Sequence, residues 1–207
     1  MAVIGENGAG KSTLMKVIGG VHAPDAGVIE LDGAPITVRS PSDALARGIR
    51  VIYQELSVLD NLNIAGNVFL GRERRRGFLL DEAAMRRETA AILARVGLKL
   101  DPGRLVASLS LAERQLVEIA RALSMSVRIL ILDEPTSSLT LEETHNLLRL
   151  VGELKAEGVA ILYVSHRLDE VHQVADRVVA LRDAKNAGGL TREEITHAAM
   201  IKLMVGR

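Results

Sequence analysis

The feature that most restricts the fold of this chain is a glycine-rich stretch near its start, Gly5 to Ser12, which reads GENGAGKS. It follows the apolar residues Val3 and Ile4 and precedes Ser12–Ile18, which has the character of a helix. Glycines let successive backbone N–H groups turn inward around an anion, and loops of this spacing join a buried strand to a helix. The stretch therefore predicts a strand–loop–helix unit, as found in α/β sheets.

Further apolar segments have the character of buried strands and are separated by helical stretches. They are Ile49–Tyr53, Ile129–Leu132, Ala160–Val164 and Val178–Leu181. Almost wholly apolar strands that alternate with helices predict an α/β fold, with a mainly parallel sheet flanked by helices. A hairpin is expected where Val28–Leu31 and Ile36–Val38 enclose Asp32-Gly33.

From about residue 61 to 125 the pattern becomes helical, and we expect a helical subdomain inserted in a single domain of residues 1–207. Asp81 begins a segment of helical spacing that ends at Gly97. Ser110 with Glu113 forms a capping box at the start of a helix through Leu123. Thr191 with Glu194 forms another, which predicts a last helix toward Val205.

The composition narrows the classes of function. The chain has 207 residues, 48% of them apolar, which suffices for one sizeable core. Lys plus Arg and Asp plus Glu each number 26, so the net charge is zero and no nucleic-acid partner is expected. The absence of cysteine excludes disulfides and thiolate metal sites. No apolar run approaches the roughly 20 residues that span a bilayer, so work at a membrane would need a partner.

The glycine-rich loop carries the clearest chemical signal. It matches the pattern G-x-x-x-x-G-K-[S/T] at every fixed position, through Gly5, Glu6, Asn7, Gly8, Ala9, Gly10, Lys11 and Ser12. Lys11 is expected to reach the β- and γ-phosphates of a nucleotide, and Ser12 to hold Mg²⁺. The alternative, a glycine-rich turn that happens to precede a lysine, does not explain the strand before the loop and the helix after it.

A second signal is the segment RILILDE, an apolar strand that ends in Asp133 and Glu134. Carboxylate oxygens beside substrate phosphates suit Mg²⁺, so Asp133 is a candidate metal ligand. Glu134 is placed to orient or deprotonate an attacking water. An acidic pair at a strand end is also a common helix cap, but its pairing with the glycine-rich loop favours the chemical role.

Three other positions are weaker by themselves. Ser110 caps a helix, and a serine-capped helix N-terminus is also a place for an anion. Gln54 and His166 each follow an apolar strand. Ligands bind at the carboxyl ends of parallel strands, although a lone Gln or His there is more often a simple surface residue.

Taken in order, the glycine-rich loop, Gln54, LSLAERQ, ILILDEPTSSLT and VSHR resemble the nucleotide-binding domain of ABC transporters over most of the chain. The stretches VIYQELSVLDNLNIAGNVFLGRE, LVEIARALS and IKLMVGR are similar to the first cassette of monosaccharide importers of the ribose, xylose, galactose and arabinose type. In those importers two cassettes are fused in one polypeptide. The resemblance implies a P-loop NTPase fold that binds ATP and Mg²⁺ and hydrolyses ATP to energise import of a monosaccharide.

The resemblance also implies a role for each matching residue. Nucleotide would be bound by Gly5, Glu6, Asn7, Gly8, Ala9, Gly10, Lys11, Ser12, Thr13 and Gln54. Mg²⁺ would be held by Ser12, Gln54 and Asp133, with Gln54 also linking the nucleotide to the membrane subunit. Glu134 would be the general base, and His166 would sense the γ-phosphate. The signature residues Ser110, Leu111, Ala112 and Glu113 would contact ATP held by the opposite cassette, with Ser138-Leu139-Thr140 at the same interface.

The implied partners are transmembrane permease subunits, a second cassette, fused or as another copy, and, indirectly, a periplasmic or extracellular sugar-binding protein. The cassette would lie peripherally at the cytoplasmic face of the membrane. Two alternatives remain open. One is a soluble ABC ATPase of DNA repair or translation, which the neutral charge does not favour. The other is a truncated cassette that binds nucleotide weakly without turnover.

Three departures from the family pattern carry expectations of their own. The signature reads Ser-Leu-Ala-Glu where the usual form is Ser-Gly-Gly-Gln. Sugar-importer cassettes resemble this looser version, so we expect the change to be tolerated, with a weaker contact to the partner's ATP. Ala184 stands where the family usually has a turn glycine, and would be strained if its φ is positive. The family has its first strands and an adenine-stacking aromatic side chain before the loop and a second cassette downstream. We therefore expect a fragment, or a misplaced start, of a longer ATPase, with an unpaired sheet edge near residues 1–4.

Overall fold

The computed structural model describes residues 1–206. The strands are β1 (Ala2–Ile4), β2 (Ile29–Leu31), β3 (Ala34–Ile36), β4 (Ile49–Ile52), β5 (Arg75–Arg76), β6 (Leu79–Leu80), β7 (Ile129–Asp133), β8 (Ala160–Val164), β9 (Arg177–Arg182) and β10 (Lys185–Thr191). The α-helices are α1 (Lys11–Ile18), α2 (Pro41–Ala46), α3 (Ile64–Val68), α4 (Glu82–Arg95), α5 (Leu111–Leu123), α6 (Leu141–Ala156), α7 (Leu168–Val174) and α8 (His197–Val205). Short 3₁₀ turns lie at Val106–Ser108 and Arg192–Glu194.

The main sheet has six strands in the order β10-β9-β1-β8-β7-β4. β1 pairs in parallel with β8 and β9, β7 pairs in parallel with β8, and β10 pairs antiparallel with β9. The predicted α/β fold with a mainly parallel sheet is confirmed. The expected unpaired edge near residues 1–4 is wrong, because Ala2 lies between Tyr163 of β8 and Val178 of β9.

The chain divides into two compact units. The first comprises Met1–Val51, Val127–Glu134 and the chain from Leu154 onward; the second comprises Ile52–Ser126 and Pro135–Glu153. The first unit holds most of the main sheet, and α1 packs on β7 while α8 packs on β9 and β10. Burying apolar strand residues against such helices is the main favourable contribution to folding. The core of this unit includes Val3, Met15, Val38, Ala44, Ile49, Ile131, Leu162 and Val164.

The second unit is mainly helical, and α3, α4 and α5 pack on one another. Two of its helices, α4 and α5, begin where the sequence predicts them. Asp81 caps α4 by accepting the N–H of Ala84 at 2.9 Å. Ser110 and Glu113 form the predicted capping box at the start of α5. Within this helical stretch the structure adds the hairpin β5–β6, which periodicity did not reveal because each of its strands has only two residues.

Of two other elements, the hairpin agrees with the sequence prediction and the start of the last helix does not. The hairpin β2–β3 forms around Asp32 and Gly33 as predicted. The box at Thr191 does not open the last helix, since only a 3₁₀ turn follows it. Instead α8 starts after Thr196, whose hydroxyl accepts the N–H of Ala199 at 3.2 Å. Local capping chemistry is satisfied at both threonines, so it could not tell which of them starts the longer helix.

Within residues 1–206, none of the helices combines the length and the apolar character needed to cross a membrane.

Candidate functional site

The glycine-rich loop leaves the carboxyl end of β1 and runs directly into α1. Gly5 is required by close packing, because a Cβ there would overlap the carbonyl oxygen of Leu181. Gly10, at φ +95°, occupies the N-cap position of α1 and has no side chain that could cap the helix. The first N–H groups of a helix have no partners within it, and they favour an anion. The loop therefore leaves the N-terminus of α1 open to a phosphate.

Lys11 lies inside this loop and is only 6% exposed. Its Nζ donates hydrogen bonds to the carbonyl oxygens of Gly5 at 2.9 Å and of Glu6 at 3.0 Å. The ammonium group is thus held by the backbone of the loop that precedes it. A buried positive charge at the first turn of a helix attracts a phosphate strongly, because little water screens it.

Asp133 ends β7 and is 3% exposed. Burial raises the pKa of its carboxyl group above the ordinary value, Glu134 raises it further, and the Ser12 hydroxyl and Lys11 oppose the shift. The opposing effect of Ser12 on this pKa places its hydroxyl near the carboxylate. A hydroxyl and a carboxylate oxygen side by side are hard ligands of the kind that Mg²⁺ prefers.

The donor set at this point fits Mg²⁺ that also binds substrate phosphates. No cluster of three or more His, Cys, Asp or Glu side chains within residues 1–206 could hold a metal by itself. Mg²⁺ usually takes one or two protein ligands and completes its shell with phosphate oxygens and water. Ser12 and Asp133 can supply the protein ligands at this position.

Glu134, the next residue, contacts His166 across two neighbouring strands. Oε1 of Glu134 lies 3.2 Å from Nδ1 of His166, with the glutamate side chain 16% and the histidine 55% exposed. Glu134 has φ +50°, and its N–H donates to the carbonyl oxygen of Val164 at 2.9 Å. A left-handed conformation costs a residue other than glycine about 1–3 kcal/mol. The backbone at the end of β7 is thus held in an unfavourable conformation that brings the carboxylate to His166.

A buried carboxylate supports the loop that carries His166. Glu170 of α7 is 5% exposed and accepts hydrogen bonds from the hydroxyls of Tyr163 at 2.8 Å and Ser165 at 3.3 Å. Arg167 forms an ion pair with the same carboxylate at 3.3 Å, and its N–H donates to the Ser165 hydroxyl at 3.0 Å. Both residues next to His166 are therefore fixed. Sequence analysis missed this support, since an acid near the start of a helix is ordinary.

The other predicted residues lie in the second unit. Gln54 is exposed two residues after β4, and the head of α5 is also at the surface, with Ser110 and Leu111 exposed. The N–H of Ser110 donates to Glu113 at 2.8 Å, and its hydroxyl accepts the N–H of Glu113 at 3.2 Å. Thr140 donates its hydroxyl to Glu143 at 2.8 Å.

A further residue of α5 that the sequence did not single out is Gln115, which is 3% exposed. Its Nε2 donates to the carbonyl oxygen of Pro135 at 2.6 Å. Pro135 directly follows Glu134. The helix that begins at Ser110 is therefore tied to the backbone at Pro135 within the second unit.

The sheet order brings three predicted sites to neighbouring strand ends. The glycine-rich loop follows β1, His166 lies just beyond β8, and Asp133 ends β7, and these three strands are adjacent in the sheet. In the register, Val164 lies opposite both Val3 and Asp133. The loop after a parallel strand and the acidic end of a nearby strand place this chain in the class of P-loop α/β proteins.

The comparison with known proteins narrows this class. Residues 1–137 match the family described as ABC transporter, and the chain belongs to that family. A putative ribose/galactose/methyl galactoside import ATP-binding protein 3 of Burkholderia cenocepacia (strain HI2424) is 51% identical over 206 residues, which cover 100% of this chain and 40% of that protein. The ribose import ATP-binding protein RbsA 2 of Escherichia coli O157:H7 is 46% identical, over 100% of this chain and 41% of its own length.

Solved structures agree with this assignment. A nucleotide-free ATP-binding cassette from an ABC transporter is similar with a TM-score of 0.82 at 26% identity, over 100% of this chain and 83% of the other. The cassette cbiO1 of Clostridium perfringens is similar with a TM-score of 0.76 at 27% identity, over 94% of this chain and 77% of the other. The chain spans about 40% of the length of the curated relatives named above.

Proposed function

We propose that this chain is a cassette that binds and hydrolyses ATP in an ABC transporter that imports a monosaccharide. The observation that carries the proposal is the contact of Glu134 with His166 at 3.2 Å, next to the Ser12–Asp133 pair. Phosphoryl transfer to water depends on positioning and charge stabilisation, with no covalent intermediate on the protein. These side chains, together with Lys11 and the uncapped N-terminus of α1, supply both requirements.

In the proposed reaction, the oxygen of a water molecule bonds to the γ-phosphorus of ATP, and the bond from that phosphorus to the β–γ bridging oxygen breaks. Glu134 takes the proton that the water loses, and the products are ADP and phosphate. A general base of this kind contributes about 10²–10⁴-fold to the rate. His166 restrains the carboxylate through Nδ1 and turns its exposed ring toward the γ-phosphate. Lys11 and the N-terminus of α1 hold the phosphates.

Bound Mg²⁺ would neutralise charge on the β- and γ-phosphates. Ser12 and Asp133 are its proposed protein ligands, with Gln54 as a third on the strength of the family resemblance. Thr13 and the remaining loop residues, Glu6, Asn7, Gly8 and Ala9, are proposed to contact the nucleotide.

The proposed working unit contains two cassettes. Ser110, Leu111, Ala112 and Glu113 would face ATP held by the opposite cassette, and the exposure of Ser110 and Leu111 leaves this surface accessible to it. Each ATP site would be complete only when the two cassettes close on each other. Hydrolysis would therefore be coupled to the opening and closing of the cassettes. The domain arrangement we propose is a single ATP-binding domain over residues 1–207 with a helical subdomain near residues 61–125.

Monosaccharide import is proposed because the named relatives are ribose or ribose/galactose/methyl galactoside import proteins. Import requires transmembrane permease subunits, with a sugar-binding protein acting through them, and the cassette would sit peripherally at the cytoplasmic face. An exposed apolar turn in the second unit is consistent with a protein partner. Phe78 and Leu79 are exposed at the β5–β6 hairpin, and exposed apolar groups of this kind are common at interfaces.

The test measures ATP binding and steady-state hydrolysis by the full chain with Mg²⁺. Lys11→Ala should lose about 1.5–3 kcal/mol of ATP binding, roughly 10- to 150-fold in affinity. Glu134→Gln should still bind ATP but lose about 10²–10⁴-fold in turnover. Matched controls are Lys16→Ala, also on α1 but exposed, and Glu142→Gln, exposed on α6.

Turnover that survives Glu134→Gln would refute the assigned base, and binding that survives Lys11→Ala would refute the phosphate site. Binding without any turnover in the wild-type chain would favour the alternative of a cassette that only binds nucleotide. Co-purification with a membrane permease, tested in parallel, separates a transporter from a soluble ABC ATPase.

A further inference from the structure

The end of β9 supports the start of the glycine-rich loop. β1, which leads into the loop, pairs in parallel with β9, and Ile4 lies opposite Ala180. Directly beyond this pair, a Cβ on Gly5 would overlap the carbonyl oxygen of Leu181. The first residue of the loop is therefore held against the backbone of β9.

The turn that follows β9 reaches the other end of the loop. A Cβ on Gly10 would lie 3.5 Å from Cα and 3.7 Å from Cβ of Ala184, which is ordinary van der Waals distance. At Gly8, in the middle of the loop, a Cβ would meet no atom of residues 1–206 within 4 Å, apart from its immediate chain neighbours. The loop is thus supported at both ends and open in between.

Ala184 stands in a backbone conformation that favours glycine. Its φ is +58°, and that of Asp183 before it is +51°. Aspartate tolerates the left-handed region because its side chain bonds to the local backbone, whereas alanine has no such compensation. Ala184 is exposed, so its methyl group adds little to the core. Strained residues cluster at ligand sites, and this one adjoins the loop that can hold a phosphate.

Gly10 is the residue at which the loop becomes helix α1. It holds the N-cap position with φ +95°, and its carbonyl oxygen accepts the N–H of Leu14 at 3.0 Å. The conformation of Gly10 therefore sets the direction of the first N–H groups of the helix. Glycine is the residue with the greatest backbone freedom, so a neighbour that restricts Gly10 also fixes those N–H groups.

We propose that Ala184 is a positioning residue for the phosphate-binding loop, whose methyl group restricts Gly10 to the conformation that aims the N-terminus of α1 at a phosphate. Freedom that is removed in advance is not lost when the nucleotide binds, and such preorganisation increases affinity. The strain at Ala184 thus lowers the stability of the chain and raises its affinity for nucleotide. This inference rests on the proposed function, since it takes the loop as the site of the ATP phosphates.

The test compares the full wild-type chain with Ala184→Gly, Ala184→Ser and Asp183→Gly. It measures the dissociation constants of ATP and ADP by titration calorimetry, kcat for ATP hydrolysis, and unfolding in urea. Ala184→Gly should raise both dissociation constants about two- to fivefold, which is the effect of freeing one glycine backbone on an equilibrium constant. Its kcat at saturating ATP should be unchanged, because lost binding that is equal in the ground state and the transition state affects affinity alone.

Stability separates this role from a general loosening of the fold. Ala184→Gly should unfold at a higher urea concentration than the wild-type chain, since glycine relieves the strain at this position. A variant that only loosened the structure would lose affinity and stability together. Ala184→Gly is expected to move the two in opposite directions.

Two variants control for the methyl group and for the turn. Ala184→Ser keeps a Cβ at the same place and should bind both nucleotides as the wild-type chain does. Asp183→Gly is the matched control, because Asp183 belongs to the same turn and has nearly the same φ. No atom of Asp183 lies within 4 Å of a Cβ position on Gly10. Asp183→Gly should therefore leave both dissociation constants unchanged.

Wild-type affinity in Ala184→Gly, in a chain whose ATP binding requires Lys11, overturns the role of Ala184 and leaves the proposed function intact. An equal loss in Ala184→Ser or Asp183→Gly also overturns it, because the effect would not then depend on the methyl group. A loss of affinity in Ala184→Gly that comes with lower stability has the same meaning. ATP binding that is absent from the wild-type chain, or that does not depend on Lys11, overturns both the inference and the proposed function.

Discussion

The turn between β9 and β10 yields a prediction that the structure makes quantitative. Arg182 pairs with Lys185, so Asp183 and Ala184 form a two-residue loop, with φ of +51° and +58°. Positive φ at both positions defines a type I′ turn, for which Asn-Gly and Asp-Gly are the usual sequences. The expectation that Ala184 occupies a position suited to glycine is confirmed.

The magnitude follows from two opposing effects of Ala184→Gly. A left-handed conformation costs a residue with a Cβ about 1–2 kcal/mol, which glycine removes. Glycine also gives the unfolded chain more freedom, which costs about 0.4–1 kcal/mol. Ala184 is exposed, so removing its methyl group loses little burial. The net expectation is a gain of about 0.5–1 kcal/mol in the free energy of unfolding, or roughly 1–4 °C in melting temperature.

The assay is urea unfolding of the wild-type chain, Ala184→Gly and the matched variant Asp183→Gly. Asp183 has almost the same φ, but aspartate tolerates the left-handed region because its side chain bonds locally to the backbone. Asp183→Gly should therefore give no gain or a small loss. The reasoning is refuted if Ala184→Gly fails to stabilise the chain, or if Asp183→Gly stabilises it as much.

Three further predictions concern other parts of the molecule. Burial raises the pKa of Asp133, so the stability that it contributes is present at low pH and is lost as pH rises through the raised value. Asp133→Asn should thus raise the free energy of unfolding of the ligand-free chain at pH 7 but not at pH 3, as measured by urea unfolding at both pH values. If the variant and the wild-type chain differ by the same free energy at pH 3 and pH 7, this reasoning is contradicted. Tyr163→Phe should lower the free energy of unfolding by about 1.5–3 kcal/mol, because the lost hydroxyl donates to the buried Glu170 at 2.8 Å. A loss below about 0.5 kcal/mol in the same assay would argue against a stabilising role for this hydrogen bond. Phe78→Ser should change the free energy of unfolding by no more than about 0.5 kcal/mol, since the ring is fully exposed. It should nevertheless reduce co-purification with a permease. Undiminished co-purification would rule out a contact between Phe78 and the permease.

Much of the fold could be read from local patterns. Apolar segments predicted β7, β8 and β9 to within one or two residues. Capping residues predicted the starts of α4 and α5, because a cap is satisfied within four residues of chain. The same locality explains the failure at Thr191. A capping box indicates where a helical turn begins. The length of the helix that follows depends on what its later residues pack against.

For the candidate site, the amino-acid sequence by itself determined which side chains end which strands. The loop around Lys11, the acids Asp133 and Glu134, and His166 are local features of their segments. The tertiary structure decided which of them meet. The order of strands placed β1 inside the sheet and brought Glu134 to His166.

Tertiary structure also brought buried acidic side chains to the loops that they hold in place. Glu170 supports the His166 loop, and Glu118 grips Ser57, which is 61 residues away in the chain. Neither acid has a local pattern that distinguishes it from a solvated helix residue. Their roles arise from burial and from contacts between distant segments, which depend on how all elements pack together, whereas a motif depends only on its own few residues.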